Sequence, residues 1–541
     1  MAIKFFVIVS LLAFAHCAFA NTSNCTCDCT GKKITRGSFP PDFVFGAASS
    51  AYQTEGAWNV SGKGPSIWDT FTHLYPEKIA FNGTYSSNGD VAIDGYDRYE
   101  SDTDIIRDLG LDVYRISISW SRILPKGQIS GGVNPDGIRY YNDVLNALVD
   151  KGVEPCVTVF HWDVPQALED LYGGFLSPRI VEDFRNYADV LFKNFGDRVR
   201  TWITLNEPWS FSRYAYDLGM LAPGRCTYWD NPDCTGGDSA TEPYLVTHHQ
   251  LLAHAATVDL YRKNYQAKYN GLIGITIVSQ WYLPYRAGNP YDELAAQIAL
   301  DFMYGWFMDP ITFGRYPLSM QEKVGSRLPQ FTEEESRKLI HSYDFVGVNY
   351  YTATFAHFYD EGYKPPYVSY GTDSRVNLTD VDSEGKPCGK GPAGASWLQV
   401  YPLGLREILN YTKTVYDNPS IFITENGLCT NTSISKNESI HDDIRTSYLE
   451  DHLCCLLEAI DKYKVNVSGY IVWSLFDNFE WASSYEDRFG IYFVDYEDNL
   501  TRIEKDSAAW YKGVVAKSPP PPSPILIREI PSISNRKMLP A

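Results

Sequence analysis

Eight short runs of apolar and β-branched residues punctuate this chain: "FVFGAAS" from Phe43, "VYRISISW" from Val113, "EPCVTVF" from Glu154, "TWITLNE" from Thr201, "IGITIVSQW" from Ile273, "DFVGVNYY" from Asp344, "IFITENG" from Ile421 and "GYIVWSLF" from Gly469. Runs of this length and composition read as buried strands. Between them lie stretches with helical periodicity, such as "IRYYNDVLNALVDKG" and "SPRIVEDFRNYADVLFKNFG". Buried strands separated by helical crossovers predict an α/β fold: a single (β/α)8 TIM barrel with long strand–helix loop insertions. An open doubly wound sheet is the structural alternative. No linker interrupts the alternation, so residues 39–516 are expected to form one domain.

In such a barrel the C-terminal strand ends converge on one face, where chemistry is carried out. The first run is followed by Tyr52 and Gln53, the second ends at Trp120, the third at His161 and Trp162, and the fourth at Asn206 and Glu207. The sixth ends with Asn349, Tyr350 and Tyr351, the seventh with Glu425 and Asn426, and the eighth is followed by Trp473, Glu480 and Trp481. Amides, carboxylates, an imidazole and indoles together suit a polyhydroxylated ring. Glu207 and Glu425 hold equivalent places on the fourth and seventh strands, from which two carboxyl groups can face each other. Glycoside hydrolysis uses such a pair, one as acid and one as base or nucleophile. Asn206, Pro208 and Trp209 around Glu207 favour a protonated acid, whereas Arg115 inside the second run can keep Glu425 charged.

The termini and the cysteines add a compartment. Lys4 precedes the apolar stretch "FFVIVSLLAFA" and a small-residue cleavage pattern at Ala18 and Ala20, so residues 1–20 read as a secretory signal peptide. A cysteine-containing arm, residues 21–38, follows, and a proline-rich tail occupies residues 517–541. Ten cysteines remain after the signal, an even number compatible with disulfides in an oxidising compartment. Cys226 and Cys234 close a short loop; Cys25, Cys27 and Cys29 can reach Cys454 or Cys455, with the pairing open; Cys156 reads as a core residue. Asn59, Asn82, Asn377, Asn410, Asn431, Asn437, Asn466 and Asn499 are glycosylation candidates, as are Asn21 and Asn24 in the arm. A formal charge of −19 disfavours nucleic acid and anionic membrane as partners. Vacuole, extracellular space or cell wall, and endoplasmic-reticulum body all stay open as destinations; the C-terminal "KMLPA" is no retention tetrapeptide, which disfavours the last.

The segments "FVFGAASSAYQTEG", "RISISWSRILP", "HWDVPQAL", "TLNEP", "VGVNYYT", "ITENG" and "SLFDNFEW", in this order, closely resemble the family 1 glycoside hydrolases, and within them the secreted plant β-glucosidases. The resemblance implies a retaining barrel enzyme that needs neither metal nor organic cofactor and takes a small β-glucoside as its partner; monomer and homodimer both stay open. It makes Glu207 the acid/base and Glu425 the nucleophile, supported by Arg115 and Tyr351. Gln53, His161, Asn206, Asn349, Tyr351, Glu480 and Trp481 would bind the sugar hydroxyls, with Trp473 under the ring. Trp397, Tyr214, Leu221 and Arg213 would face the aglycone; Tyr214, Leu221 and Ala482 stand where some relatives have phenylalanine. The related myrosinases, which cleave thioglucosides, typically carry Gln where this chain has Glu207, which points to O-glucosides. A myrosinase-type thioglucosidase, with Arg213 meeting a sulfate, is the alternative activity, and a non-catalytic carbohydrate-binding or storage protein the alternative class.

Overall fold

A computed structural model describes residues 27–29, 31–80, 87–229, 231–360, 362–391 and 394–517. The apolar runs form eight strands: β1 (Val44–Ala48), β2 (Val113–Ser117), β3 (Glu154–Phe160), β4 (Thr201–Asn206), β5 (Leu272–Pro284), β6 (Phe345–Phe358), β7 (Ile421–Asn426) and β8 (Val467–Val472). Each pairs in parallel with the next, and β8 pairs with β1, so the sheet closes into a barrel and the open-sheet alternative falls. A short strand, Val376–Thr379, pairs antiparallel with the far end of β6.

The helices follow from their patterning. In α1 (Pro135–Asp150) the buried residues Tyr140, Tyr141, Val144, Leu145 and Leu148 recur at helical spacing, so one face packs on the barrel wall. Pro135 opens this helix, and the Asn134 side chain accepts from the Asp136 amide, satisfying an otherwise orphan donor. In α2 (Ile180–Phe195) Phe184, Tyr187, Ala188, Leu191, Phe192 and Phe195 do the same. Two further helices matter below: α3 (Pro208–Tyr216), directly after β4, and α4 (Asp443–Asp461), between β7 and β8.

Four ladders slip toward the C-terminal strand ends, β5–β6 doing so between Ser279 and Trp281. The register shifts between Ile203 and Asn206 where β4 meets β5, between Val348 and Asn349 where β6 meets β7, and between Tyr470 and Val472 where β8 meets β7. Such bulges re-aim side chains that a regular ladder would direct elsewhere. The second run departs from expectation. Its strand stops at Ser117, and Trp120 starts a four-residue helix, fully buried, with Nε1 donating to the Gly127 carbonyl and its ring stacked on Tyr187 at 4.9 Å. Trp120 therefore belongs to the wall, because its indole finds its hydrogen-bond partner and its ring partner there.

Disulfides tie the arm to the barrel. Cys27 pairs with Cys455 and Cys29 with Cys454, both on α4, and Cys226 pairs with Cys234 as its spacing suggested. Cys156 and Cys429 are buried outside these disulfides, and the buried Cys388 Sγ lies 3.2 Å from the Ala353 carbonyl. Asp112 binds both Arg36, just before the barrel, at 2.7 Å and Lys517, the last described residue, at 3.0 Å. Residues 1–20, Cys25, the sequons at Asn21, Asn24 and Asn82, and the tail after Lys517 lie outside the described residues. Asn59, Asn437, Asn466 and Asn499 are exposed, whereas Asn377, Asn410 and Asn431 are half-buried. Among the described residues, no helix is long and apolar enough to cross a membrane.

Candidate active site

Glu425 is the penultimate residue of β7, and Arg115 reaches it from β2. Arg115 is only 1% exposed, so its charge must be met by protein. Nη1 donates to Glu425 Oε1 at 2.6 Å and to the Thr424 carbonyl at 3.1 Å, Nη2 to Asn206 Oδ1 at 2.6 Å, and Nε to Thr158 Oγ1 at 3.0 Å. The other carboxylate oxygen of Glu425 accepts from the Tyr351 hydroxyl at 2.6 Å. Burial, followed by the charges of Glu425 and Glu207, holds the Tyr351 phenol well above its usual titration range, so it stays a donor. Both oxygens of Glu425 thus accept from donors, one of them a buried cation.

Glu207 sits at the elbow between β4 and α3. Its backbone is left-handed, φ 42° and ψ 61°, a conformation that costs a non-glycine residue of order 1–3 kcal/mol. Pro208 fixes the first helical turn behind it. Asn349 Nδ2 donates to Glu207 Oε1 at 2.6 Å and Ser210 Oγ to Oε2 at 2.7 Å. Burial first, then the charge of Glu425, raise the Glu207 pKa to about 7 against those two hydrogen bonds. The expected role of Asn206 beside Glu207 is corrected by these contacts. The Asn206 amide faces Arg115 and His161 instead, and the amide on Glu207 comes from Asn349, re-aimed by the β6–β7 bulge. The carboxyls are also joined by a relay, because Asn349 Nδ2 lies 3.3 Å from the Asn206 oxygen that Arg115 holds.

Around these two lies a ring of polar and aromatic groups. Asn206 Nδ2 donates to His161 Nε2 at 3.1 Å, which leaves the imidazole proton on Nδ1. Burial and the Arg115 charge push the His161 pKa well below the usual range, so the ring is neutral. His161 lies near-parallel to Trp473 at 5.9 Å and to Trp481 at 5.8 Å between ring centroids. Gln53 is fully buried; Ser50 donates to its oxygen, and its amide donates to Asn478, to the Phe479 carbonyl and to Glu480 Oε2 at 3.3 Å. Burial, and then the charges of Asp487, Glu425 and Glu207, raise Glu480 well above the carboxylate range. Like Glu207, Trp162 and Trp481 have positive φ, 73° and 52°. Strained residues gathered at one mouth are typical of sites whose geometry is over-determined by their surroundings.

Gly427 has a steric duty here. A Cβ at this position would lie 1.8 Å from the Trp473 carbonyl oxygen, a backbone atom that cannot swing away. Gly427→Ala should therefore displace Trp473 and lower the thermal midpoint by several degrees. A melting curve matching wild type would remove this constraint.

On the outer side, Trp397 is 48% exposed and meets the Tyr351 ring edge-on at 6.1 Å. Tyr214 is half-buried and meets Trp209 edge-on at 5.7 Å, next along the chain from Arg213 on α3. Leu221 is buried, and Ala482 half-buried. Arg213 pairs with the fully buried Asp217 one turn along and lies 5.3 Å over the Tyr370 ring. Tyr350 and Asn426 turn into the wall; the Tyr350 hydroxyl donates to the Tyr401 carbonyl. Sequence reasoning missed Ser210, Thr424, which donates to Asn349 Oδ1 at 2.7 Å, and Asp487 beside Glu480. Only Ser210 had a signal, its place three residues after Glu207 at the start of a helix. Among the described residues, no group of three or more His, Cys, Asp or Glu is placed to hold a metal ion.

A closed eightfold barrel with two differently held carboxyls among amides and indoles defines a glycosidase-type fold and site. Comparison with known proteins narrows the class, and the chain belongs to glycosyl hydrolase family 1, whose sequence profile matches residues 35–519. Beta-glucosidase 12 of Oryza sativa subsp. japonica is 53% identical over 490 residues, 90% of this chain and 94% of that one. The furostanol glycoside 26-O-beta-glucosidase of Hellenia speciosa is 53% identical over 480 residues, 88% of this chain and 83% of its own. Among solved structures, a mutant of the rice Os3BGlu6 β-glucosidase in a covalent complex with Glc superposes with a TM-score of 0.86, at 44% identity, covering 90% of this chain and all of that one.

Proposed function

We propose that this protein is a retaining β-glucosidase, acting on β-D-glucosides whose aglycones are O-linked plant secondary metabolites. The observation that carries the reading is the contrast between the two carboxyls: Glu425 held by Arg115 and Tyr351, and Glu207 raised to about 7. In the first step a Glu425 oxygen attacks C1 of the glucose as Glu207 gives its proton to the glycosidic oxygen. The C1–O bond breaks, the aglycone leaves as the alcohol, and glucose is esterified to Glu425. In the second step Glu207, now a carboxylate, takes a proton from water, whose oxygen attacks C1 and expels Glu425. Two inversions give net retention. The covalent complex with Glc of the rice relative supports this route.

The remaining side chains take binding roles in this reading. Trp473 supports the apolar face of the ring, and Gln53, His161, Asn206, Asn349, Tyr351, Glu480 and Trp481 meet its hydroxyls. Trp397, Tyr214 and Leu221 border the aglycone slot. A thioglucosidase activity is disfavoured because Glu207 supplies the proton that a poor oxygen leaving group needs. The Arg213 charge is already matched by Asp217, so nothing favours it as a sulfate receptor. The three disulfides among the described residues suit the secretory pathway, with vacuole or cell wall as destination.

The Glu207 pKa sets a pH dependence. The first step needs Glu207 protonated, so kcat/KM for an alkyl β-glucoside should fall about tenfold per pH unit above about 7. For a dinitrophenyl glucoside, which leaves unaided, the same limb should be much shallower. Equal limbs for both substrates would remove Glu207 from the acid role. A parallel assay on a glucosinolate should show negligible turnover; preference for it over the aryl O-glucoside would overturn the substrate assignment.

A further inference from the structure

The nucleophile Glu425 lies where the regular main-chain ladder fails on both sides of β7. The β6 register slips at Val348/Asn349, opposite Glu425, and the β8 register slips between Tyr470 and Val472, opposite Asn426. The ladder resumes at Asn349–Glu425 and Val472–Asn426 after these slips. Side chains reinforce it there: Arg115 and Tyr351 hold Glu425, and a second set converges on Asn426.

Asn426 is fully buried, and its amide is satisfied on both ends. Nδ2 donates to the Tyr350 carbonyl at 2.7 Å, a β6 oxygen next to Tyr351, and to the Tyr448 hydroxyl of α4 at 3.0 Å. Oδ1 accepts from the Tyr470 hydroxyl of β8 at 2.7 Å, which fixes which way the amide points. The Tyr448 hydroxyl, in turn, donates to the Tyr351 carbonyl at 3.0 Å. The main-chain oxygen of Asn426 accepts from the Trp473 amide at 3.0 Å. One side chain and its backbone thus clamp the peptides of Tyr350 and Tyr351, the start of the Trp473 segment, and the residue beside Glu425. Tyr351 is the group whose hydroxyl holds Glu425 Oε2.

We propose that Asn426, with Tyr448 and Tyr470 fixing its amide, is a positioning residue for the covalent step: it sets the Glu425 carboxylate against Tyr351 and against the ring supported by Trp473. The inference rests on the reading of Glu425 as nucleophile. It requires no contact between Asn426 and substrate. Buried groups held by complete hydrogen-bond sets are rigid, and small displacements of a nucleophile cost rate steeply, about 100-fold for about 1 Å. Removing one clamp should therefore slow bond formation while leaving the sugar's resting affinity nearly intact.

The test uses the full-length glycosylated protein and three substitutions. Tyr448→Phe deletes the hydroxyl that bridges Asn426 and Tyr351; Tyr470→Phe frees the amide to flip; Asn426→Ala removes the clamp. Each is assayed for the rate of trapping by an activated 2-deoxy-2-fluoroglucoside, for competitive inhibition by glucose, and for thermal midpoint. The expected result is trapping slowed about tenfold in each Phe variant and about 100-fold or more in Asn426→Ala. Glucose inhibition should stay within about threefold, and both Phe variants should melt within a few degrees of wild type. Wild-type trapping in Tyr448→Phe and Asn426→Ala would overturn the proposal. So would trapping, glucose affinity and melting temperature that fall together in both Phe variants, since that is the pattern of plain structural support. Glu425→Gln, run alongside, isolates the underlying reading: if it still traps the reagent, the nucleophile assignment fails whatever the Asn426 series shows.

Discussion

Glu425→Gln should reduce kcat on an aryl β-glucoside by a factor on the order of 10⁴ to 10⁶, the scale at which single nucleophile deletions act. The amide has nearly the volume of the carboxylate and can still offer an oxygen to Arg115 and an N–H to the Tyr351 oxygen, so the site keeps its shape. What disappears is the negative charge. Arg115 is then a buried guanidinium whose remaining partners, Asn206, Thr158 and the Thr424 carbonyl, are neutral. Breaking a buried ion pair from one side costs about 3–5 kcal/mol, so the thermal midpoint should fall with the activity. Glucose binding, which we assign mainly to Gln53, His161, Glu480 and Trp473, should change far less. A Glu425→Gln enzyme within tenfold of wild type would place the nucleophile elsewhere.

Glu207→Gln is the second large effect, and its signature is selectivity. General-acid assistance is worth about 10²–10⁴-fold, so alkyl glucosides should lose that much in kcat/KM. A dinitrophenyl glucoside departs without a proton, so formation of the glucosyl-enzyme should be nearly untouched and the second step, which needs a base, should become limiting. Azide should then raise kcat with the dinitrophenyl substrate, because it attacks the glucosyl-enzyme without needing that base. Uniform impairment across leaving groups, with no rescue by azide, would contradict the assignment. The stability effect should be small or favourable, since the variant relieves both the burial of a carboxyl and its repulsion by Glu425.

The barrel was legible because its strands are continuous apolar runs that only a doubly covered parallel sheet can hide. Glu207 and Glu425 were legible for the same reason, as carboxyls standing directly after such runs. Trp120 misled because the second run stays apolar past the true strand end at Ser117, and periodicity cannot separate strand from buried helix over three residues. The partner of Glu207 was also hidden. Sequence adjacency pointed to Asn206, but the β6–β7 slip delivers Asn349, 142 residues away, and such slips leave no mark in a hydropathy pattern. The pairing of Cys27 with Cys455 and Cys29 with Cys454 was open for a geometric reason. Neighbouring cysteines on a helix point about 100° apart, and only the path of the arm across α4 decides which meets which. Of the aglycone residues, Arg213 was the hardest to judge, since a cation near the mouth says nothing until its counter-charge, Asp217, is seen.

Mass spectrometry of the trapped enzyme tests the central claim most directly. After incubation with the activated 2-deoxy-2-fluoroglucoside and digestion, a single fluoroglucosyl group should be found, on the peptide containing Glu425, and it should be absent from Glu425→Gln. A label on Glu207 or any other carboxyl, or full turnover of ordinary substrate by enzyme that never forms an adduct, would contradict the account.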